Sequence, residues 1–452
     1  MSLKNLIHSD DWTRISGVHG NTFKKNDQCV KCPTDPAVVT EIGETGEPFY
    51  CKHSVYSFIA WHAPYIYQFE LLLNKYNSSS NPEYITLPWL DLTNTNYDYS
   101  FLNDKEIKIL YENDSIIVEN PLAGAYYYTD DNITLTTRNG FLNPSNPKQF
   151  LQLKNVQKEL FTALCANTFE EFSSAANLSV TYTPLESPHN SLHNIIGGND
   201  GTMSSINIAA FDPIFWLHHC NMDRFYWNWV YKITKKFKEP LYPSYMQEST
   251  ANSSCAPFFN NKIYSKDFEK YQWGWTNGTG NYAKVSQIID IHKFPYYYDF
   301  ISLKHFSPKY ATTSFIVDYN SIPYSIIEEK ISIPVIQGTF IFFKNVPIPF
   351  ESLEINAYIF PQDRPINKET DFAGSAFWFG INRKKIHCKR CISGRTNLKI
   401  DVGEYVAKHK IDSTNITNYK ILVEGDGLLN KQSIYVEKDL VKDGSSRLIF
   451  YV

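Results

Sequence analysis

The sequence predicts a two-domain chain of class α plus all-β. A mainly α-helical unit over residues 1–300, with a four-helix-bundle core, precedes a β-sandwich over residues 301–452. Three observations predict it. The 452 residues exceed the usual size of one domain. Up to about residue 235, apolar residues recur at intervals of three and four between helix-start and helix-stop residues. After about residue 300, runs of β-branched and aromatic residues alternate with short turns punctuated by Pro and Gly.

Residues 55–73 contain no Gly, and Phe58, Trp61, Tyr65, Ile66, Phe69, Leu72 and Leu73 fall on one helical face. Pro64 is expected to kink this helix or mark its restart. Residues 77–82 read as a polar turn, 87–91 as a buried extended piece and 92–145 as a long elaborated loop. Helix resumes at 149–165 and 168–176. Pro188 fits the first turn of a helix carrying His189 and His193, which Gly197 and Gly198 end. Asp212 and Pro213 start the next helix, running to about residue 235. Residues 312–319, 331–344 and 353–360 read as strands.

The balance of 43 Lys+Arg against 47 Asp+Glu leaves a net charge of −4, and no basic block argues for nucleic acid or an anionic membrane. No apolar run suits a signal peptide or a membrane helix, so a cytoplasmic chain is expected. The cysteines do not form a secreted disulfide framework. Cys165 and Cys255 read as inert buried residues, while Cys29/Cys32 and Cys388/Cys391 form two CxxC pairs. Those four could in principle make one thiolate zinc site.

Single histidines such as His8, His292, His305 and His409 read as ordinary hydrogen-bonded residues. His189 and His193 differ, because i,i+4 spacing turns both rings toward one ion. Asn190 stands where a zinc protease would carry its glutamate. The aromatic segment 210–224 delivers a further imidazole from its adjacent His218 and His219. His19, His53 and His62 form a matching trio. Six imidazoles on bundled helices, with no bridging carboxylate, favour copper over a di-iron pair.

The segment 203–224, with Phe211-Asp212-Pro213-Ile214-Phe215-Trp216-Leu217-His218-His219-Cys220-Asn221-Met222-Asp223-Arg224, resembles the second-copper segment of fungal tyrosinases. Molluscan haemocyanin units carry a related version. Cys51-Lys52-His53 through Trp61-His62-Ala63-Pro64-Tyr65 resembles the first-copper segment, and Gly17-Val18-His19-Gly20 the surroundings of its earliest histidine. Leu87-Pro88-Trp89-Leu90-Asp91 and the tyrosine motif at 294–299 also resemble family motifs.

The resemblance implies two copper ions, held by His19, His53 and His62 and by His189, His193 and His219, with O2 as co-substrate. His218 lies beside the implied ligand, which stands four residues before Asp223; Asp223 would accept from a ring nitrogen. Cys51 would form a thioether to His53. Glu186 and Asn190 would hold a water that takes the phenol proton. Ile206, Asn194 and Phe215 would line the substrate pocket, and Ala63 departs from the usual Arg. The implied activity is ortho-hydroxylation of monophenols and oxidation of o-diphenols to o-quinones. The alternatives are a catechol or o-aminophenol oxidase without hydroxylase activity, and an O2 carrier. The C-terminal domain resembles the lid of fungal protyrosinases, which keeps the enzyme latent. Phe379, with Phe377 next, would fill the pocket, and Cys388/Cys391 would deliver copper.

Overall fold

In the computed structural model, the described residues are 2–20, 24–25, 28–29, 51, 53–78, 84–93, 99–111, 114–129, 132–140, 145–175, 183–234, 241–259, 282–289, 294, 296, 298, 340–347, 352–380, 395–411, 415, 418–427, 433–439 and 449–451. Among them, the helices that organise the N-terminal unit are α1 (Ser2–Ile7), α2 (Asp10–His19), α3 (Phe58–Lys75), α4 (Pro147–Leu164), α5 (Phe169–Ser173), α6 (Glu186–Gly197) and α7 (Pro213–Thr234). Their starts follow from local chemistry. Ser9 and Asn146 accept backbone N–H groups at the starts of α2 and α4, and Thr168 and Glu171 form a reciprocal capping box on α5. Gly198 ends α6 at φ +60°, a conformation that favours glycine.

Helix α3 runs through Pro64 without a break. Its neighbours are buried on every side, so packing holds the turn that lacks one hydrogen bond. Helix α3 packs on α7, and α4 packs on both α6 and α7. No helix among the described residues is long and apolar enough to cross a membrane.

Asp212 fixes the start of α7. It accepts the Ile214 N–H at 2.9 Å and takes a two-pronged bond from Arg138, Nε to Oδ2 at 2.7 Å and Nη2 to Oδ1 at 2.6 Å. Both side chains are almost wholly buried. Removing one partner of such a pair generally costs about 3–5 kcal/mol, because the other charge is left without compensation. The loop expected over 92–145 contains two antiparallel hairpins, β3 (Glu106–Tyr111) with β4 (Asp114–Glu119), and β5 (Tyr126–Thr129) with β6 (Asn132–Leu135), numbered after the short pair β1 (Lys24–Lys25) and β2 (Gln28–Cys29). Alternation at Ile107 and Ile109 was the available signal for the first.

A further short pair, β7 (Ser254–Phe259) and β8 (Tyr282–Lys284), closes the helical unit. The C-terminal unit holds β9 (Phe340–Pro347), β10 (Leu353–Pro361), β11 (Phe372–Trp378), β12 (Arg395–Asp401), β13 (Tyr419–Gly427), β14 (Ser433–Asp439) and β15 (Ile449–Tyr451). One sheet has the order β11-β10-β13-β14 and the other β12-β9-β15. Ile341, Leu398 and Ile400 of the smaller sheet share an apolar core with Ile355, Ile359, Ala376, Trp378 and Ile421 of the larger. At Gly374 a Cβ would lie 2.4 Å from the Asp401 carbonyl oxygen, so only glycine permits that approach. The expected strand at 312–319 lies outside the described residues.

Strand alternation decides what β11 offers to the helices. Ala376 and Trp378 turn into the sheet core, whereas Phe377 and Phe379 join the core of the helical unit.

Candidate metal centre

Helix α2 ends on His19, His53 precedes α3, His62 lies on α3, His189 and His193 on α6, and His218 and His219 on α7. All except His53 are fully buried. Four rings are oriented by their Nδ1 atoms. His19 donates to the Ile206 carbonyl at 2.9 Å, His62 to Phe58 at 2.7 Å and His193 to Met203 at 3.0 Å. His189 donates to Asn190 Oδ1 at 2.9 Å. With Nδ1 carrying the proton, each Nε2 keeps its lone pair for the interior.

Those nitrogens converge. His219 Nε2 lies 3.1 Å from His189 Nε2 and 3.3 Å from His193 Nε2. Ligands held about 2.0–2.1 Å from a common ion are separated by roughly that much. The His62 ring stacks on His219 with centroids 4.2 Å apart, bringing the two trios together. Burial, reinforced by neighbouring rings, holds His53, His62, His189, His193 and His219 well below the usual imidazole pKa. Burial alone takes His19 down to about 4, against the pull of its Ile206 bond. The rings are therefore neutral, the form that binds metal.

Two features differ from the sequence expectation. His218 joins His189, His193 and His219 in one group whose ligand atoms lie within 4.8 Å of one another. On the other side the tight group is His19, Cys51 and His62, with His53 standing off. Cys51 Sγ lies 3.3 Å from His62 Nε2 and 3.8 Å from His53 Nδ1. The nitrogens His19 Nε2 and His53 Nε2 have no hydrogen-bond partner despite burial, and an ion would satisfy them.

The residues around the rings are placed as follows. Glu186 is fully buried, and its carboxylate accepts Ser54 N–H at 2.6 Å, Ala175 N–H at 2.8 Å and the Ser174 hydroxyl at 3.0 Å. A water held by Glu186 must share the carboxylate with these donors. Phe215 lies against His219 and His19, with centroids 4.1 and 4.7 Å away, and against Trp216 behind them. It packs beneath the histidine rings. Asn194 donates to the Trp378 carbonyl at 3.0 Å. Ile206 holds His19 through its carbonyl and reaches Gly380 through its N–H at 3.3 Å. Phe379 stacks on His193 at 4.3 Å and meets His53 edge-on at 5.2 Å.

The expectation for Asp223 is corrected. Its Oδ2 accepts the hydroxyls of Tyr296 at 2.9 Å and Tyr298 at 2.8 Å in place of a ring nitrogen. The tyrosine motif supplies two strong donors there, while Asp223 Oδ1 and His219 Nδ1, one turn apart on α7, each remain without a partner. Ala63 is buried within α3. Cys32, Cys388 and Cys391 lie outside the described residues, and Cys29 falls in β2. Sequence reasoning missed the backbone carbonyls of Phe58, Met203 and Ile206, which orient three rings yet carry no side-chain signature.

The family model described as the common central domain of tyrosinase matches residues 9–232. A tyrosinase of Neurospora crassa is 24% identical over 342 residues, 64% of this chain and 47% of its own length. Hemocyanin 1 of Megathura crenulata is 26% identical over 231 residues, 50% of this chain and 6% of its own. The chain thus spans less than half the length of these curated relatives. A solved recombinant mushroom tyrosinase has a similar fold at 17% identity, with TM-score 0.59, covering 100% of this chain and 94% of its own.

Proposed function

Because the chain belongs to the type-3 copper tyrosinase family, we propose that it is a tyrosinase binding two copper ions and acting on phenols and catechols with O2. The convergence of nitrogen lone pairs at His189, His193 and His219 carries this reading. His19, His53 and His62 would hold the first ion. An all-imidazole donor set suits copper. A copper pair bound there supplies the activation of O2 needed to hydroxylate or oxidise a phenolic ring.

The chain's own residues do the rest. The carbonyls of Phe58, Met203 and Ile206 keep the ring nitrogens aimed inward. Phe215 on one side and Phe379 on the other keep water from the rings. The C-terminal sheets act as a lid over this site, with the domain boundary near residue 300. Glu186 and Asn190 flank His189, the position from which a held water would take the phenol proton. An O2 carrier remains the competing reading, favoured by a site sealed beneath Phe379.

The deciding experiment is an assay of the copper-loaded chain with a monophenol and a catechol, before and after limited proteolysis between residues 301 and 339. Turnover of both is expected, rising after cleavage. Reversible O2 binding without phenol turnover would identify a carrier. In the same assay, Glu186→Gln should lower monophenol hydroxylation at least about tenfold more than catechol oxidation, the scale of one lost general-base contribution. Equal losses would reduce Glu186 to the structural clamp formed by Ser54, Ser174 and Ala175.

A thioether from Cys51 to His53 would form with O2 taking up the two hydrogens lost as the carbon–sulfur bond forms; Cys51 Sγ lies 3.8 Å from His53 Nδ1 and 3.3 Å from His62 Nε2. The intact mass of the copper-loaded chain should then be lower by those two hydrogens. An unchanged mass removes the thioether.

A further inference from the structure

Between α6 and α7, the consecutive peptide groups 203–204 to 206–207 serve two partners. The outer two aim the rings: the Met203 carbonyl accepts from His193 Nδ1 at 3.0 Å, and the Ile206 carbonyl from His19 Nδ1 at 2.9 Å. Each of these histidines belongs to a different trio. The inner two peptide groups meet the C-terminal sheets. The Ser204 carbonyl accepts the Ser352 hydroxyl, and the Ile206 N–H donates to the Gly380 carbonyl at 3.3 Å. Ser352 stands directly before β10, and Gly380 follows the end of β11. The Ser352 oxygen also accepts the Gly380 N–H at 2.9 Å, so one side chain ties both strand ends to this segment.

Peptide groups are planar, so each inner group is hinged to its outer neighbour only through the φ and ψ of one residue, Ser204 or Ile206. Each inner group has one further bond within the helical unit. The Ser205 N–H donates to the Thr202 carbonyl at 3.2 Å, and the Ser205 carbonyl accepts the Ala209 N–H at 2.8 Å. A planar group bonded at one end can pivot about that bond; bonded at both ends it cannot. Ser352 and Gly380 supply the second hold. Met203, Ser204, Ser205, Ile206 and Ser352 are all buried, so bulk water does not replace a lost partner while the sheets are docked. Beside them the Trp378 carbonyl accepts from Asn194, the neighbour of His193 on α6.

We propose that Ser352 is a positioning residue for both metal ions. Through residues 203–206, the docked C-terminal sheets fix the aim of His19 and His193, and copper is bound more tightly with the sheets in place than without them. This rests on the two-copper reading of the site. It gives the sheets a role toward the metal that is separate from the cover Phe379 lays on the rings. The coupling is reciprocal: bound copper must hold the sheets as firmly as the sheets hold copper.

The test measures the copper affinity of the full chain by equilibrium competition with bathocuproine disulfonate, a copper(I) chelator, in the presence of a reductant. The CxxC cysteines are the same in every variant, so differences report the histidine sites. Ser352→Ala is expected to bind both ions at least about tenfold more weakly than wild type, the lower end of the effect of losing an outer partner. Ser352→Thr, which keeps the hydroxyl, should restore wild-type affinity. A second measurement needs no variant. In wild type, copper loading should slow hydrogen exchange at the Gly380 amide by at least about tenfold, the same coupling read from the other side. Equal copper affinity in Ser352→Ala and wild type overturns the proposal, even with faster catechol turnover, and leaves the copper reading standing. Gly380 exchange that does not respond to copper does the same. A wild-type chain whose copper count is unchanged by His219→Ala overturns both.

Discussion

Replacing His219 by alanine is expected to lower bound copper from about two ions per chain to about one, and catechol oxidation by at least about a thousandfold. The copper count follows from loss of one of three ligands. The loss of rate exceeds the roughly 10–100-fold typical of losing an outer partner alone, because a direct donor to the ion is removed. His219 is the most central ring of the cluster. Its Nε2 lies within 3.3 Å of both His189 and His193, and His62 of the other trio stacks on its face. Removing it deletes a donor and also the surface that holds the two trios together. The control is His218→Ala. His218 is equally buried and belongs to the same compact group, and neither of its ring nitrogens has a hydrogen-bond partner. Copper analysis of the two variants separates them: His218→Ala should retain about two ions. If His218→Ala loses one ion and His219→Ala loses none, the ligand assignment on α7 is reversed.

Phe379→Ala should activate the full chain, raising turnover of a small catechol by at least roughly tenfold, the factor that about 1.4 kcal/mol of lid docking represents. Phe379 is 1% exposed and touches the rings of His53, His189 and His193. Its truncation both opens space above the site and removes apolar contacts that dock β11 on the helices. The seam also holds Phe377 and polar contacts, among them Gln152 to Glu354 at 2.7 Å, Lys148 to Glu354 at 2.8 Å and Asn194 to the Trp378 carbonyl at 3.0 Å. The partly exposed Lys148–Glu354 ion pair contributes little, and Phe379 should contribute more than any single polar contact of the seam. Phe377→Ala removes a comparable apolar group that joins the helical core, and it should activate less. A copper-loaded, folded Phe379→Ala chain no more active than wild type would show that Phe379 does not limit access.

Much of the site was legible because side-chain chemistry and helical spacing are local properties. The i,i+4 pair His189/His193 fixes a shared helix face once the helix forms, and Asp212-Pro213 marks the start of α7. The period-two pattern of β11 likewise separates Phe377 and Phe379 from Ala376 and Trp378. The β3–β4 and β5–β6 hairpins were less legible, since each lies within a polar, Asn- and Tyr-rich stretch that reads as loop. The partner of Asp223 was misjudged because it depends on where a motif more than 70 residues later returns to α7.

By itself, the sequence determined which imidazoles are candidates for metal binding, an aromatic-rich helical segment that carries them, and a β-rich segment to follow. Only the tertiary structure decided which atoms face inward and what covers them. Ring orientation is set by carbonyls of Phe58, Met203 and Ile206, and two of these come from segments remote in sequence from the ring or from a different element. The bond from Asn194 to the Trp378 carbonyl and the seat of Phe379 on His193 join the helical unit to the C-terminal sheets. The physical reason is that hydrogen-bond geometry and burial are properties of assembled surfaces, and no local pattern of residues encodes which distant surface will arrive.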